Sequence, residues 1–290
     1  MKKISLYKRI IIISWLFWGI IVSCQNNKII DPILSKSNTV INYDDTTFLN
    51  LAGYYHNLIL DSLIQFQSTI PDSILDSLIS DKYWIYQNLF LKSYQVISGF
   101  MEFQEVEIDT GGGYNFVVNF IDLLTDTTEN FEVGLEAFLQ MYCQNDTLVN
   151  LTKTLLILCG KEDYQTRIDS LLNVVTTSGY SSYIKNVIRI GVSIAKGSID
   201  YWRNYYSVGI VYKRKGVGNK ILAAQIAAYA AVDVLGGIGT AAISYIGGER
   251  NGWKLLGEAV IGGAVTSACA FLPSAKGVEF LGKIGKWFQR

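Results

Sequence analysis

Lys220 to Gly248 reads KILAAQIAAYAAVDVLGGIGTAAISYIGG, and its reading decides the fold. The run is too long for a strand and is built on alanine, the strongest helix former. Ala223, Ala227 and Ala231 fall four apart on one face, and Gly236 and Thr240 continue that face. A small-residue face lets two helix backbones approach closely, in lipid or in a protein core. Each glycine costs a helix about 1 kcal/mol relative to alanine. Gly236, Gly237 and Gly239 therefore disfavour a lone helix and imply close packing. Glu249-Arg250-Asn251-Gly252 reads as a turn. Leu255 to Leu272 is the return helix, with Gly262, Thr266 and Ala270 four apart and Pro273 as its stop. The expectation is a C-terminal Gly/Ala-rich helical hairpin whose small faces form a packing or membrane interface. Asp233 and Glu258 lie inside the two runs. Each would cost a few kcal/mol near a bilayer centre unless protonated, paired or facing a pore.

Outward from the hairpin, charge divides the chain. The 25 basic and 25 acidic side chains cancel overall. Residues 25–200 carry 10 basic and 21 acidic groups, whereas residues 201–290 carry 11 basic and 4 acidic. An acidic body is thus joined to a basic, apolar tail. Fields of opposite sign favour docking of one on the other, or carry the tail to anionic lipid or a protein partner. Lys213-Arg214-Lys215 precedes the hairpin. Lys276 to Arg290 follows it as a basic amphipathic segment, with Phe280, Ile284, Trp287 and Phe288 on its apolar side.

The body reads as mostly α. Ala52, Tyr55, Ile59, Leu63 and Phe66 recur at helical spacing. A new helix start is expected at Thr69-Ile70-Pro71-Asp72, and an aromatic-rich helix over 83–100. Further helices follow around Phe131 to Tyr142, Leu148 to Leu158, Ile168 to Val175 and Ile184 to Tyr206. Residues 103–124 alternate apolar and polar around Thr110-Gly111-Gly112-Gly113, which predicts a small β-hairpin, with a helix over 115–124 as the rival. The fold class is therefore a helical bundle with a small β-hairpin and a C-terminal helical hairpin. Four segments are expected: 1–23, 24–46, 47–206 and 207–290.

The first two segments are an address. Lys2, Lys3, Lys8 and Arg9 form a basic start, and Ile10 to Val22 is an apolar run of signal-peptide length. Ile21-Val22-Ser23-Cys24 resembles the lipobox of bacterial lipoproteins. That resemblance implies cleavage before Cys24, lipidation of its thiol, and a membrane anchor requiring no spanning helix. Gln25 stands where inner-membrane lipoproteins carry an aspartate, which favours the outer membrane of a Gram-negative cell. Residues 24–46 then read as the tether.

The tail has a resemblance of its own. Asp233 to Thr240 and Ile261 to Val265 resemble the Gly/Ala-rich hydrophobic segments of class II bacteriocins and bacteriocin-like proteins, which implies a membrane-active role. The acidic body and the lipobox depart from that family.

Chemistry is sparse. His56 is the sole histidine. Any Ser-His-Asp, Cys-His or His-ligated metal device must use it, and its apolar helix face reads instead as a packed histidine. Cys143 and Cys159 lack zinc-site spacing. They read as buried thiols, with a disulfide as the alternative; Cys269 is the third cysteine beyond Cys24. The triglycine 111–113 has no following lysine and opens no evident helix, so it is no phosphate loop. Glu102, Glu105, Glu107 and Asp109 read as a solvated face, with weak calcium binding as the alternative. Tyr83, Trp84, Tyr86, Tyr201, Trp202, Tyr205 and Tyr206 read as helix core, with a carbohydrate or lipid groove as the alternative. No catalytic residue, metal site or cofactor is assigned, and nucleic acid does not suit an acidic, exported body. The leading expectation is a non-enzymatic envelope lipoprotein with a binding or structural role, its hairpin packed on its own body or a partner. The alternatives are a membrane-active protein and an enzyme of unknown type.

Overall fold

Two long helices made chiefly of alanine, glycine and β-branched residues lie at the centre, and the computed structural model surrounds them with the rest of the bundle. It describes residues 46–71, 81–104, 106–108, 110–125, 131–207 and 219–271, together with Ile74, Leu78 and Ile284. The signal, the tether and the segment 276–290 lie outside the described residues apart from Ile284, which is buried. The helix expected from Thr69 onward lies largely outside them as well.

A 3-10 turn, Thr46–Leu51, leads into α1, Ala52–Gln67. Next come α2, Lys82–Ile85, a π turn, Tyr86–Phe90, and α3, Leu91–Ile97. Helices α4, Thr110–Thr125, α5, Phe131–Cys143, α6, Asp146–Cys159, and α7, Tyr164–Thr177, follow. The longest body helix is α8, Ser182–Ser207. The hairpin is α9, Asn219–Ile246, and α10, Gly252–Phe271. No strand occurs among the described residues.

The hairpin packs α9 against α10, and body helices cover both. Helix α8 lies on α9, α1 lies on α10 and on α8, and α4 touches both hairpin helices. Helices α5 and α6 add to the cover of α9. A helix apolar all round has to be enclosed, by lipid or by other helices. Here it is enclosed by helices: Ala228, Ala230, Val232, Val234, Ile238, Leu256, Ala259, Val260, Ala264 and Val265 are all fully buried.

The turn between the hairpin helices is specified locally. Gly248 takes a positive φ of 99°, the left-handed conformation that closes a helix at low steric cost. The Glu249 amide donates back to the Ser244 carbonyl at 3.0 Å, and the Gly248 amide to Tyr245 at 3.1 Å. This pair of bonds is the Schellman arrangement. Asn251 then caps α10, its side-chain oxygen accepting from the Trp253 amide at 3.0 Å.

The β-hairpin expected at 103–124 is corrected: Thr110 to Thr125 is helical. The alternation was read from Tyr114, Phe116, Val118 and Phe120, but Val117 between them is also fully buried, as are Phe116 and Phe120. Neighbours buried together with the residue four on suit a helix and not a half-exposed strand. The triglycine is likewise no turn but the opening of α4. A Cβ on Gly112 would lie 3.0 Å from Ile243, and one on Gly113 would lie 3.1 Å from Thr240. The glycines let α4 start against α9.

Candidate functional site

The small residues singled out in the hairpin fall into two groups. Gly236 and Thr240 on α9 meet Gly262 and Thr266 on α10. A Cβ on Gly236 would lie 2.6 Å from the Gly262 carbonyl oxygen and 2.9 Å from the Gly263 Cα. A Cβ on Gly262 would lie 2.9 Å from the Gly236 carbonyl oxygen and would run into Thr240. The two backbones are in direct contact, and the threonine hydroxyls turn back into their own helices. Thr240 donates to the Gly236 carbonyl at 2.8 Å and Thr266 to the Gly262 carbonyl at 2.6 Å. Ala227, Ala231 and Ala270 are buried elsewhere along the hairpin, whereas Ala223, expected on the same small face, is exposed.

One turn before this crossing, α9 carries Asp233, fully buried. Three side chains from two other helices converge on it. From α8, the Ser198 hydroxyl donates to Oδ2, and the Trp202 indole N–H donates to the same oxygen at 3.2 Å. From α1, His56 brings Nε2 to 3.4 Å from Oδ1, an ion-pair distance longer than a made hydrogen bond. His56 also packs against α10, its Cδ2 lying 3.0 Å from where a Gly263 Cβ would be. Asp233 thus ties α9 to α8 and α1 at the place where the hairpin helices are closest.

The histidine's outer nitrogen fixes its chemistry. The Asn57 amide N–H donates to the Gly197 carbonyl at 2.9 Å, which turns the Asn57 oxygen toward His56 Nδ1, 2.9 Å away. Nδ1 must therefore carry a hydrogen. Nε2 and Asp233 Oδ1 then face each other across 3.4 Å, both buried and neither in a made hydrogen bond.

This arrangement is not a nucleophilic triad. Asp233 stands between Ser198 and His56, so both address the carboxylate and not each other, and all three are fully buried. Compared with known proteins, the chain matches no family model, no curated protein and no solved structure.

Glu258 is also buried. It lies two turns along α10 from Thr266. The three thiols are free and buried, which corrects the disulfide alternative for Cys143 and Cys159. Burial pushes the Cys143, Cys159 and Cys269 thiols up to about 12. Of the acidic cluster, Glu105 and Asp109 lie outside the described residues, and among the described residues no group of three His, Cys, Asp or Glu could hold a metal. The aromatic group divides. Trp202 is fully buried and stacks on Tyr229 with centroids 4.3 Å apart, whereas Tyr83 is 71% exposed.

Sequence reasoning had marked Asp233 and His56 separately and missed that they meet. It read Trp202 as helix core without a polar role, and it singled out neither Ser198 nor Asn57. Nothing local signals those three, because each acts across a helix–helix contact.

Proposed function

We propose that this chain is a non-enzymatic cell-envelope lipoprotein, anchored through lipid on Cys24, with a binding or structural role. Its hairpin is the packing core of its own body. What supports the reading is that the hairpin's apolar surface is covered by α1, α4, α6 and α8 of the same chain, with interlocked backbones at Gly236 and Gly262. The only histidine is sealed away from any substrate. The lipobox-like Ile21-Val22-Ser23-Cys24 and the Gln25 that follows supply the address and favour the outer membrane. Labelling cells with a radioactive or clickable palmitate tests it: the chain should take up label and Cys24→Ala should not. Retained label in that variant rejects the anchor.

One observation favours a second reading. Leu222–Ile246 of α9 is long and apolar enough to cross a membrane, although 94% of its most apolar window is buried inside the protein. If the bundle opened on an anionic surface, the hairpin would be available to lipid. Dye release from anionic vesicles by the full mature chain would support this membrane-active reading, and no release between about pH 5 and 7.5, where raised carboxylates titrate, would reject it.

A further inference from the structure

Helices α1 and α8 cross on two glycines, and the crossing leaves a groove beside it. A Cβ on Gly197 would lie 2.8 Å from the Gly53 Cα, so the backbones touch. Ser193 fastens the contact: its hydroxyl donates to the Asn50 carbonyl at 2.6 Å and accepts from the Gly53 amide at 2.9 Å. It thereby caps α1, whose own preceding residue, Leu51, offers no side-chain cap. Around this rigid floor Asn50, Tyr54, Asn57, Asp169, Lys196 and Asp200 line a half-open cavity of about 560 Å3. That volume lies within the range of about 300–1,000 Å3 typical of small-ligand sites.

We infer that this groove is a binding site for a small neutral sugar. The inference deepens the binding role proposed above but does not depend on the lipid anchor. Three features select the ligand class. First, the charges are already engaged. The Lys196 ammonium donates to Asp169 Oδ1, and Asp200 Oδ1 accepts from the Tyr164 hydroxyl at 2.8 Å. An anionic ligand would have to displace Asp169 from Lys196 and face two carboxylates, whereas a hydroxyl can add to the remaining lone pairs and N–H groups. Secondly, the lining mixes carboxylates, amides and an ammonium. Such groups can accept from one hydroxyl of a vicinal pair and donate to the other. Thirdly, the Tyr54 side chain is 39% exposed, leaving part of its ring as an apolar surface for the C–H face of a pyranose. The floor, made of backbone from two packed helices, needs no reorganisation on binding.

The groove has a built-in reporter. Asn57 lines it and also holds His56 Nδ1. Because His56 is the only histidine, its ring nitrogens give one unambiguous set of NMR signals. Glucose and N-acetylglucosamine are the probes, each added to the purified mature chain up to about 50 mM, which spans the millimolar affinities expected of small ligands. Saturation-transfer signals should appear on one or both sugars, and the His56 nitrogens should shift with the same saturation curve. Tyr54→Ala and Asn50→Ala should each weaken binding at least tenfold. Neither should change the melting temperature much, since the Asn50 bond runs through its backbone. Three results would overturn the inference: no transfer to either sugar in the parent chain, transfer unaffected by both variants, or a His56 shift produced by glycine or phosphate and not by the sugars. Lipid labelling at Cys24 is read separately, so the anchor and the sugar site can fail independently.

Discussion

Gly236→Ala adds a single carbon where α9 crosses α10, and the sign of its effect tests whether that crossing holds the bundle together. On helix propensity alone the change should stabilise by about 1 kcal/mol. The structure argues the reverse. The new Cβ would lie 2.6 Å from the Gly262 carbonyl oxygen, 0.8 Å short of the 3.4 Å at which ordinary contact begins, and 2.9 Å from the Gly263 Cα. It would also run into the Thr266 hydroxyl, which is held by the Gly262 carbonyl; the two backbone neighbours cannot rotate aside, so the helices must part along an interface that is fully buried. Overpacking of this kind costs about 1–3 kcal/mol, and rigid neighbours place the case in the upper half of that range. After the propensity gain is set against it, the net loss is about 1–2 kcal/mol, or about 2–8 °C in melting temperature for a bundle of this size. Gly179→Ala is the control. A Cβ there meets nothing within 4 Å, so it should be neutral or stabilise by about 0.4–1 kcal/mol. Thermal and urea melts followed by circular dichroism at 222 nm give both values. A Gly236→Ala chain as stable as its parent, or more so, would refute the interlocked-backbone argument.

The polar centre makes a second prediction. Asp233→Ala strands the Trp202 N–H, the Ser198 hydroxyl and the His56 ring in an apolar core and should cost about 3–5 kcal/mol. Asp233→Asn keeps an acceptor for Trp202 and Ser198 and should cost less than half as much; equal urea midpoints for the two variants would show that Asp233 ties nothing. Thiol chemistry gives a third. Since burial pushes Cys143, Cys159 and Cys269 up to about 12, the folded state keeps protons that the unfolded chain releases near the ordinary thiol value of 9.0. Stability from this source is intact below about pH 9 and is lost as the pH rises toward 12, with the urea midpoint falling across that window. At pH 8 a thiol reagent should leave all three untouched until denaturant is added, and rapid labelling of the native chain would contradict their burial. A fourth concerns Ala227, which is 2% exposed: Ala227→Leu should overpack the hairpin by about 1–3 kcal/mol, and an unchanged melt would mean that its face is free.

The hairpin was legible because its signals are local. Alanine content, glycines at helical spacing and the Glu249 to Gly252 break all act within a few residues, and the helix bounds fall close to where those signals put them. The body helices carry the same kind of signal, since Ala52, Tyr55, Ile59 and Leu63 repeat along one buried face. Residues 110–125 were misread because a short apolar run reads alike at periods of two and of four. The decision lies in Val117, whose burial depends on the helices that pack against α4. The polar centre was half legible. An acid inside an apolar run announces Asp233, and a sole histidine announces His56, but their meeting depends on how α1 and α9 pack. The groove was illegible for the same reason, because Gly53 and Gly197 become a crossing only when two distant helices are docked.

The placement of the hairpin has a consequence for the order in which the chain can fold. Helices α1 to α8 are amphipathic covers for a centre that occupies residues 219–271, so a chain emerging from its N-terminus has its cladding long before it has anything to clad. The contacts that bury α1 join Gln67 to Ala268 and His56 to Asp233, pairings that close very large loops and form late. Until α10 has emerged, the earlier helices lack the hairpin that buries their inner faces. The exported lipoprotein proposed above, unfolded in transit and compact on arrival, would be well served by keeping its core for last.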